Sequence, residues 1–195
     1  MGNECWSKLC EDSKLSLISG YLVLESLKKC DKTADFSGSC LQICKAVEYE
    51  LTSRYVTEYI KYIKDKYNEE VLNKAPYALL KEQKDENDPK EFIDPDFATL
   101  GNFRFVMGLQ SNGDVANIYA WNEFEDYAKN KLLKDTTNIQ ETLSEHISYV
   151  IKIKNDYRNK SAHKNFMDLA QGVDCYNYIV GDLKKLSRIL DSYKF

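Results

Sequence analysis

Residues 40–62 read CLQICKAVEYELTSRYVTEYIKY. Cys40, Cys44, Val47, Leu51, Tyr55 and Tyr62 recur at steps of three, four and seven, which lays them along one stripe of an α-helix. Lys45, Glu50, Thr57 and Lys61 fall on the opposite face, expected to meet solvent. The turn-rich break DKTADFSGS (31–39) precedes the stripe, and Ser37 or Ser39 is a suitable cap for its start. A long helix buried along one side needs other helices to cover it.

The rest of the chain supplies them. Leu15, Ile18, Leu22 and Glu25, with Leu17, Tyr21 and Leu24 beside them, outline an earlier helix over about 7–30. Residues 69–82 either extend the long helix or form a short separate one, with Pro76 as a kink. The stretch KEQKDENDPKEFIDPD (81–96) is dense in charge and holds two prolines, so it reads as a solvated loop. DFATLGNFRFVMGL (96–109) reads as a short apolar helix, followed by a turn at Asn112-Gly113. Two more helices are expected over 118–133 and 138–157, the second capped by Thr137. Ala162, Phe166, Leu169, Val173, Tyr176, Val180, Leu183 and Leu190 keep near one face, which predicts a last helix over 162–192. No segment alternates like a strand. The expected class is all-α, a bundle of five to seven helices in a single domain spanning 1–195.

The 195 residues carry a net charge of −4, with 43% hydrophobic and 30% charged residues, the balance of a globular chain. No apolar run approaches the ~20 residues that span a bilayer. The start, MGNECWSKLCEDSKL, lacks the basic head and apolar middle of an export signal. A cytoplasmic protein with no membrane partner is the expectation. Six cysteines form no Cys-x-x-Cys pair. Cys40 and Cys44 lie one turn apart, but no second Cys/His pair stands at zinc spacing, so buried thiols are expected and no metal. His146, on a polar-looking helix, and the tyrosines of the long helix read as structural.

One stretch resists a purely structural reading: IKNDYRNKSAHKNF (153–166), which holds one of only two histidines. Extended backwards, the last helix puts Arg158 on the face of Ala162 and Phe166, and a guanidinium is seldom buried without a partner. Asn159 and Ser161 favour a break between Arg158 and His163. Glu48 sits beside the apolar stripe of the long helix and needs a partner too. The residues alone leave two possibilities open. One is an internal Glu48–Arg158 ion pair with His163 at a helix start. The other is a site that grips phosphate, for which Lys154, Lys160 and Lys164 add local positive charge.

RNKSAH resembles the Arg-polar-x-x-x-His signature of HEPN domains, small helical ribonuclease and nucleotide-binding domains. DFSGSCLQICKAVEYELTSRY (35–55), with its Lys-Ala-x-Glu-x-Glu-Leu run, is similar to the family's second-helix segment. DFATLGNF (96–103) is similar to a middle segment with Thr-Leu-Gly. The likeness spans about 35–192, with the N-terminal helix packed on that core. It implies a helical bundle that dimerises with two motif copies facing each other, and RNA cleavage without metal or cofactor. Arg158 would then bind the scissile phosphate, His163 would move a proton as the 2′-hydroxyl attacks, Asn159 would orient the site, and Glu48 would support Arg158. The implied partners are RNA, a second copy, and an antitoxin or regulatory protein. The implied setting is a toxin or antiviral defence effector. The competing expectation is a non-catalytic dimerisation, partner-binding or nucleotide-binding module.

Overall fold

The structure is a computed structural model that describes residues 2–30, 33–83, 85, 88–95, 99–110, 112–163, 166–182 and 184–194. Lys164 of the basic set, Leu183 of the last stripe, and Asp96, Phe97 and Ala98 of the DFATLGNF segment lie outside them. The chain is mostly helical, and among the described residues no strand forms, only isolated bridges. No described helix is long and apolar enough to cross a membrane. The α-helices in chain order are α1 (Asn3–Ser7), α2 (Glu11–Cys30), α3 (Ser37–Leu51), α4 (Glu58–Tyr67), α5 (Val71–Lys74), α6 (Phe103–Val106), α7 (Ile118–Tyr127), α8 (Ile139–Lys152), α9 (Asn159–Ala162), α10 (Leu169–Ile179) and α11 (Lys185–Asp191). π-helical turns follow α3 (Thr52–Thr57), α7 (Ala128–Leu132) and α8 (Ile153–Arg158). The residues fall into two compact units, Met1–Glu50 with Tyr149–Tyr193, and Leu51–Ser148 with Lys194.

In the first unit α2 packs its small residues inward. Ser13, Ser16, Leu17, Gly20 and Leu24 are buried, whereas Leu15, Ile18 and Leu22 face outward. Close approach to α3 explains this choice. A Cβ on Gly20 would lie 2.7 Å from Ile43 Cγ1. Ser39 Oγ donates to the Gly20 carbonyl at 2.7 Å, and Ser13 Oγ to the Ala46 carbonyl at 3.0 Å. Neither Ser37 nor Ser39 acts as the expected cap, because Asp35 does that work. Its carboxylate accepts from Ser37 N–H, Ser37 Oγ and Met167 N–H at 3.0, 2.8 and 3.1 Å. Burial opposes the charge on Asp35, but these hydrogen bonds outweigh it and hold the carboxyl below its usual range.

The expected solvent face of the long helix fails at Glu50, which is fully buried. Its Oε1 accepts from the Cys10 N–H at 2.7 Å, next to the first residue of α2. A carboxylate at a helix N-terminus meets unsatisfied N–H groups and the positive end of the helix dipole, which compensates its burial. The stripe also changes phase. Leu51, Tyr55, Tyr59 and Ile63 are fully buried, while Tyr62 is only half-buried. Steps of four overshoot a 3.6-residue turn, and the π turn absorbs the surplus.

The expected single helix over 162–192 is three pieces. His163 ends α9 with φ −110° and ψ 46°. Asp168 then caps α10 in a reciprocal box with Gln171, two satisfied N–H groups that start a helix afresh there. Lys184 takes a left-handed conformation, φ 50°, before α11. Phe166 and Ala162 are exposed, and α10 buries Gly172, Cys175, Tyr178 and Ile179 instead. Gly172 sets that face, since a Cβ there would lie 2.8 Å from Phe36 Cβ.

The second unit has an aromatic core. Tyr55, Tyr59, Phe103, Phe124 and Tyr127 are buried with ring centroids 4.9–6.1 Å apart, separations at which edge-to-face pairing is favourable. Residues 69–82 do not extend α4; a 3₁₀ turn, α5 and a second 3₁₀ turn replace it. The charged loop is closed at its base by a bridge between Leu80 and Phe92. The turn at Asn112-Gly113 is closed by Leu109 and Val115, with Gly113 at φ 86°, which favours glycine.

Candidate functional site

Arg158 is the last residue of the π turn that continues α8, and Glu48 lies on α3. Arg158 Nε donates to Glu48 Oε1 at 3.2 Å, with the two side chains 29% and 17% exposed. Glu48 sits at the edge of the buried stripe, so its carboxylate is carried to the margin of the core, where Arg158 meets it. A contact through Nε commits one N–H of a group that carries several. The guanidinium is thus held by its inner edge, on a side chain that keeps 29% of its exposure.

The helix does not break between Arg158 and His163, as Asn159 and Ser161 led one to expect. It runs on through α9, and Ser161 Oγ donates to the Arg158 carbonyl at 3.0 Å rather than capping a new helix. His163 is the exposed C-terminal cap of that run. Asn159 and Lys154 are half-buried and Lys160 is exposed.

Acidic neighbours temper the basic patch. Lys152 Nζ binds Asp156 at 2.6 Å and lies 5.3 Å from the Tyr178 ring centre and 5.8 Å from that of Tyr157. Tyr157 donates to Asp174 Oδ2 at 2.7 Å. Burial first, then that hydrogen bond, pushes its phenol well above the usual range. Tyr157 and Asp174 are immediate neighbours of the motif that the sequence did not single out. No spacing signal joins them, since they lie on different helices.

The other groups raised by the sequence are internal. Cys40, Cys44 and Cys175 are fully buried. Contacts with Cys40 and Cys44, and then burial, raise the Cys175 thiol well above its ordinary value. A thiol so placed is a poor nucleophile. No described group of three or more His, Cys, Asp or Glu is arranged to hold a metal ion. His146 is buried, with Nδ1 2.9 Å from the Tyr55 hydroxyl, and burial lowers its pKa to about 4.

Chemically, the Arg158 region offers a braced guanidinium able to bind a phosphate oxygen, and an exposed imidazole five residues further along. Compared with family models, characterised proteins and solved structures, the chain matches none.

Proposed function

We propose that the chain is a metal-independent endoribonuclease that acts as a homodimer. In this reading Arg158 binds the scissile phosphate and His163 moves the proton. The observation that carries it is the partly buried Arg158, 29% exposed and held through Nε by Glu48, on the same helical run that ends at the exposed His163. A brace on the inner nitrogen fixes the guanidinium without consuming it, as a phosphate clamp requires. The HEPN-like motif supports the same assignment.

RNA brings its own nucleophile, and because Arg158 and His163 of one chain point about 140° apart on the unbroken helix, the reading pairs Arg158 of one copy with His163 of the other. His163 accepts the proton of the 2′-hydroxyl, the 2′-oxygen bonds to phosphorus, and the bond from phosphorus to the 5′-oxygen breaks. The leaving oxygen takes a proton from an imidazolium or from water, and a 2′,3′-cyclic phosphate remains. Arg158 offsets the charge that builds on the equatorial oxygens. Asn159 orients the site, and Lys154, Lys160 and Lys164 attract the backbone. A role as a toxin or defence effector under a protein inhibitor fits such an activity in a cell. The test is incubation of single-stranded RNA with the protein in EDTA. Cleavage is expected, and His163→Ala should abolish it; undiminished cleavage by that variant overturns the assignment.

The same ion pair also favours a second reading, in which Arg158 and Glu48 staple the bundle of a non-catalytic, partner-binding or nucleotide-binding module. That reading requires Arg158→Ala to lower stability and wild-type protein to leave RNA intact.

A further inference from the structure

α2 meets its two neighbours in different ways. Against α3 it presents Ser13 and Gly20, close enough for Ser13 Oγ to reach the Ala46 carbonyl at 3.0 Å and for the Gly20 carbonyl to accept from Ser39 Oγ at 2.7 Å. Against α10 it presents a phenol ring: Tyr21 and Tyr176 lie 5.5 Å apart with their planes at 37°. The side chains at a contact set how near two helices come. The two rings keep α2 and α10 from closing over Ile43, and an apolar cleft of about 240 Å³ remains within the first unit. Its floor is Leu17, Ile43 and Val180, all buried, and its mouth is Trp6, Ile18, Tyr21 and Tyr176.

The lining selects the occupant. None of these side chains carries a charge, so an ion brought into the cleft would lose water without gaining a partner. Glu25 and Lys28, whose fields reach the Tyr176 phenol, pair with each other at 2.7 Å. Burial, and then the neighbouring Tyr21, raise that phenol above its ordinary value, so it too is uncharged at neutral pH. The polar side-chain atoms of the lining are the Trp6 N–H and the hydroxyls of Tyr21 and Tyr176. A few such groups on apolar and aromatic walls are what orients a small ligand. Two tilted rings favour a flat partner, which packs by its face or its edge. An apolar cavity of about 150 Å³ holds benzene, so this one suits two fused rings.

We propose that the cleft between α2, α3 and α10 is a binding site for a small, uncharged, planar aromatic molecule of the size of indole. The site does not depend on the ribonuclease reading. The test is a titration of the full chain with indole, followed by NMR on the side-chain N–H signals of its two tryptophans. Trp6 lines the cleft, whereas Trp121 is buried in the second unit and is the internal control. The Trp6 signal should shift saturably, with a dissociation constant of about 0.1–1 mM for so small a ligand, and the Trp121 signal should stay. Adenine, equally flat and of similar size but polar at its edges, should bind at least about tenfold more weakly, because the cleft leaves those edges unpaired. Tyr21→Ala should weaken indole binding about three- to tenfold by removing one ring of the pair, and because Tyr21 is exposed the core is untouched. No saturable shift of Trp6 up to the solubility limit of indole, equal shifts of both tryptophans, adenine binding as tightly as indole, or an unweakened Tyr21→Ala would overturn the proposal.

Discussion

The contact between Arg158 and Glu48 is the joint on which both readings of the site turn, and its strength follows from its surroundings. Breaking a fully buried pair by removing one partner costs about 3–5 kcal/mol, whereas an exposed pair contributes ~0.2–1 kcal/mol. Here the side chains retain 29% and 17% of their exposure and meet through a single hydrogen bond of 3.2 Å. Water still screens the pair, and a bidentate fork is lacking. A coupling energy of about 1–2 kcal/mol is therefore expected, between those limits. The assay is a double-mutant cycle with Arg158→Ala, Glu48→Ala and the double variant, read by urea denaturation. In a chain of this length each kcal/mol corresponds to about 2–4 °C in melting temperature. On the proposed function, Glu48→Gln should leave more RNA cleavage than Arg158→Ala, since it loosens the brace but keeps the proposed phosphate ligand. A coupling indistinguishable from zero would show that the pair does not hold in solution, and the braced-clamp argument would fall with it.

Three further outcomes follow from the packing. His146 ionises near pH 6.5 when unfolded but only near about 4 when folded, so the unfolded chain binds the proton first as pH falls. Its contribution to stability is full above pH 6.5 and lost between there and pH 4, about 3 kcal/mol in all. Urea titrations over that range should show a steeper loss in wild type than in His146→Gln, and parallel curves would refute it. Gly20→Ala should destabilise despite alanine's better helix propensity, by about 1–3 kcal/mol for overpacking against Ile43 and the Ser39 carbonyl; a higher melting temperature would contradict the close approach of α2 and α3. Under native conditions a thiol reagent should modify Cys30, which is exposed, well before Cys40, Cys44 and Cys175, which are buried. Equal rates would contradict the buried cluster.

The helical class was legible because the stripe from Cys40 to Tyr55 is regular and no stretch alternates. Its continuation was not. A π turn leaves no signature in residue types, so the projection that placed Tyr62 in the core had no means of finding the phase change that buries Tyr59 and Ile63. Glu50 was misplaced for a related reason: the N–H it satisfies belongs to Cys10, forty residues away in sequence. The last stripe misled because Phe166 and Val173 kept a helical period across a chain that Asp168 and Gln171 interrupt, while Gly172, silent in a hydrophobic pattern, defines the packed face. On α2 the conspicuous leucines point outward because two serines and a glycine are what α3 can approach. At the site, Glu48 and Arg158 were each legible as a charge in need of a partner beside an apolar stripe. The position of the helix end was not, since Asn159 and Ser161 look like caps yet lie inside the run that His163 terminates.

The most direct test of the account is the chemistry of the cut ends. RNA incubated with the purified chain in EDTA should yield fragments with 2′,3′-cyclic phosphate and 5′-hydroxyl termini, and these should vanish with His163→Ala. Ends bearing a 3′-hydroxyl and a 5′-phosphate, or intact RNA at every protein concentration, would contradict it.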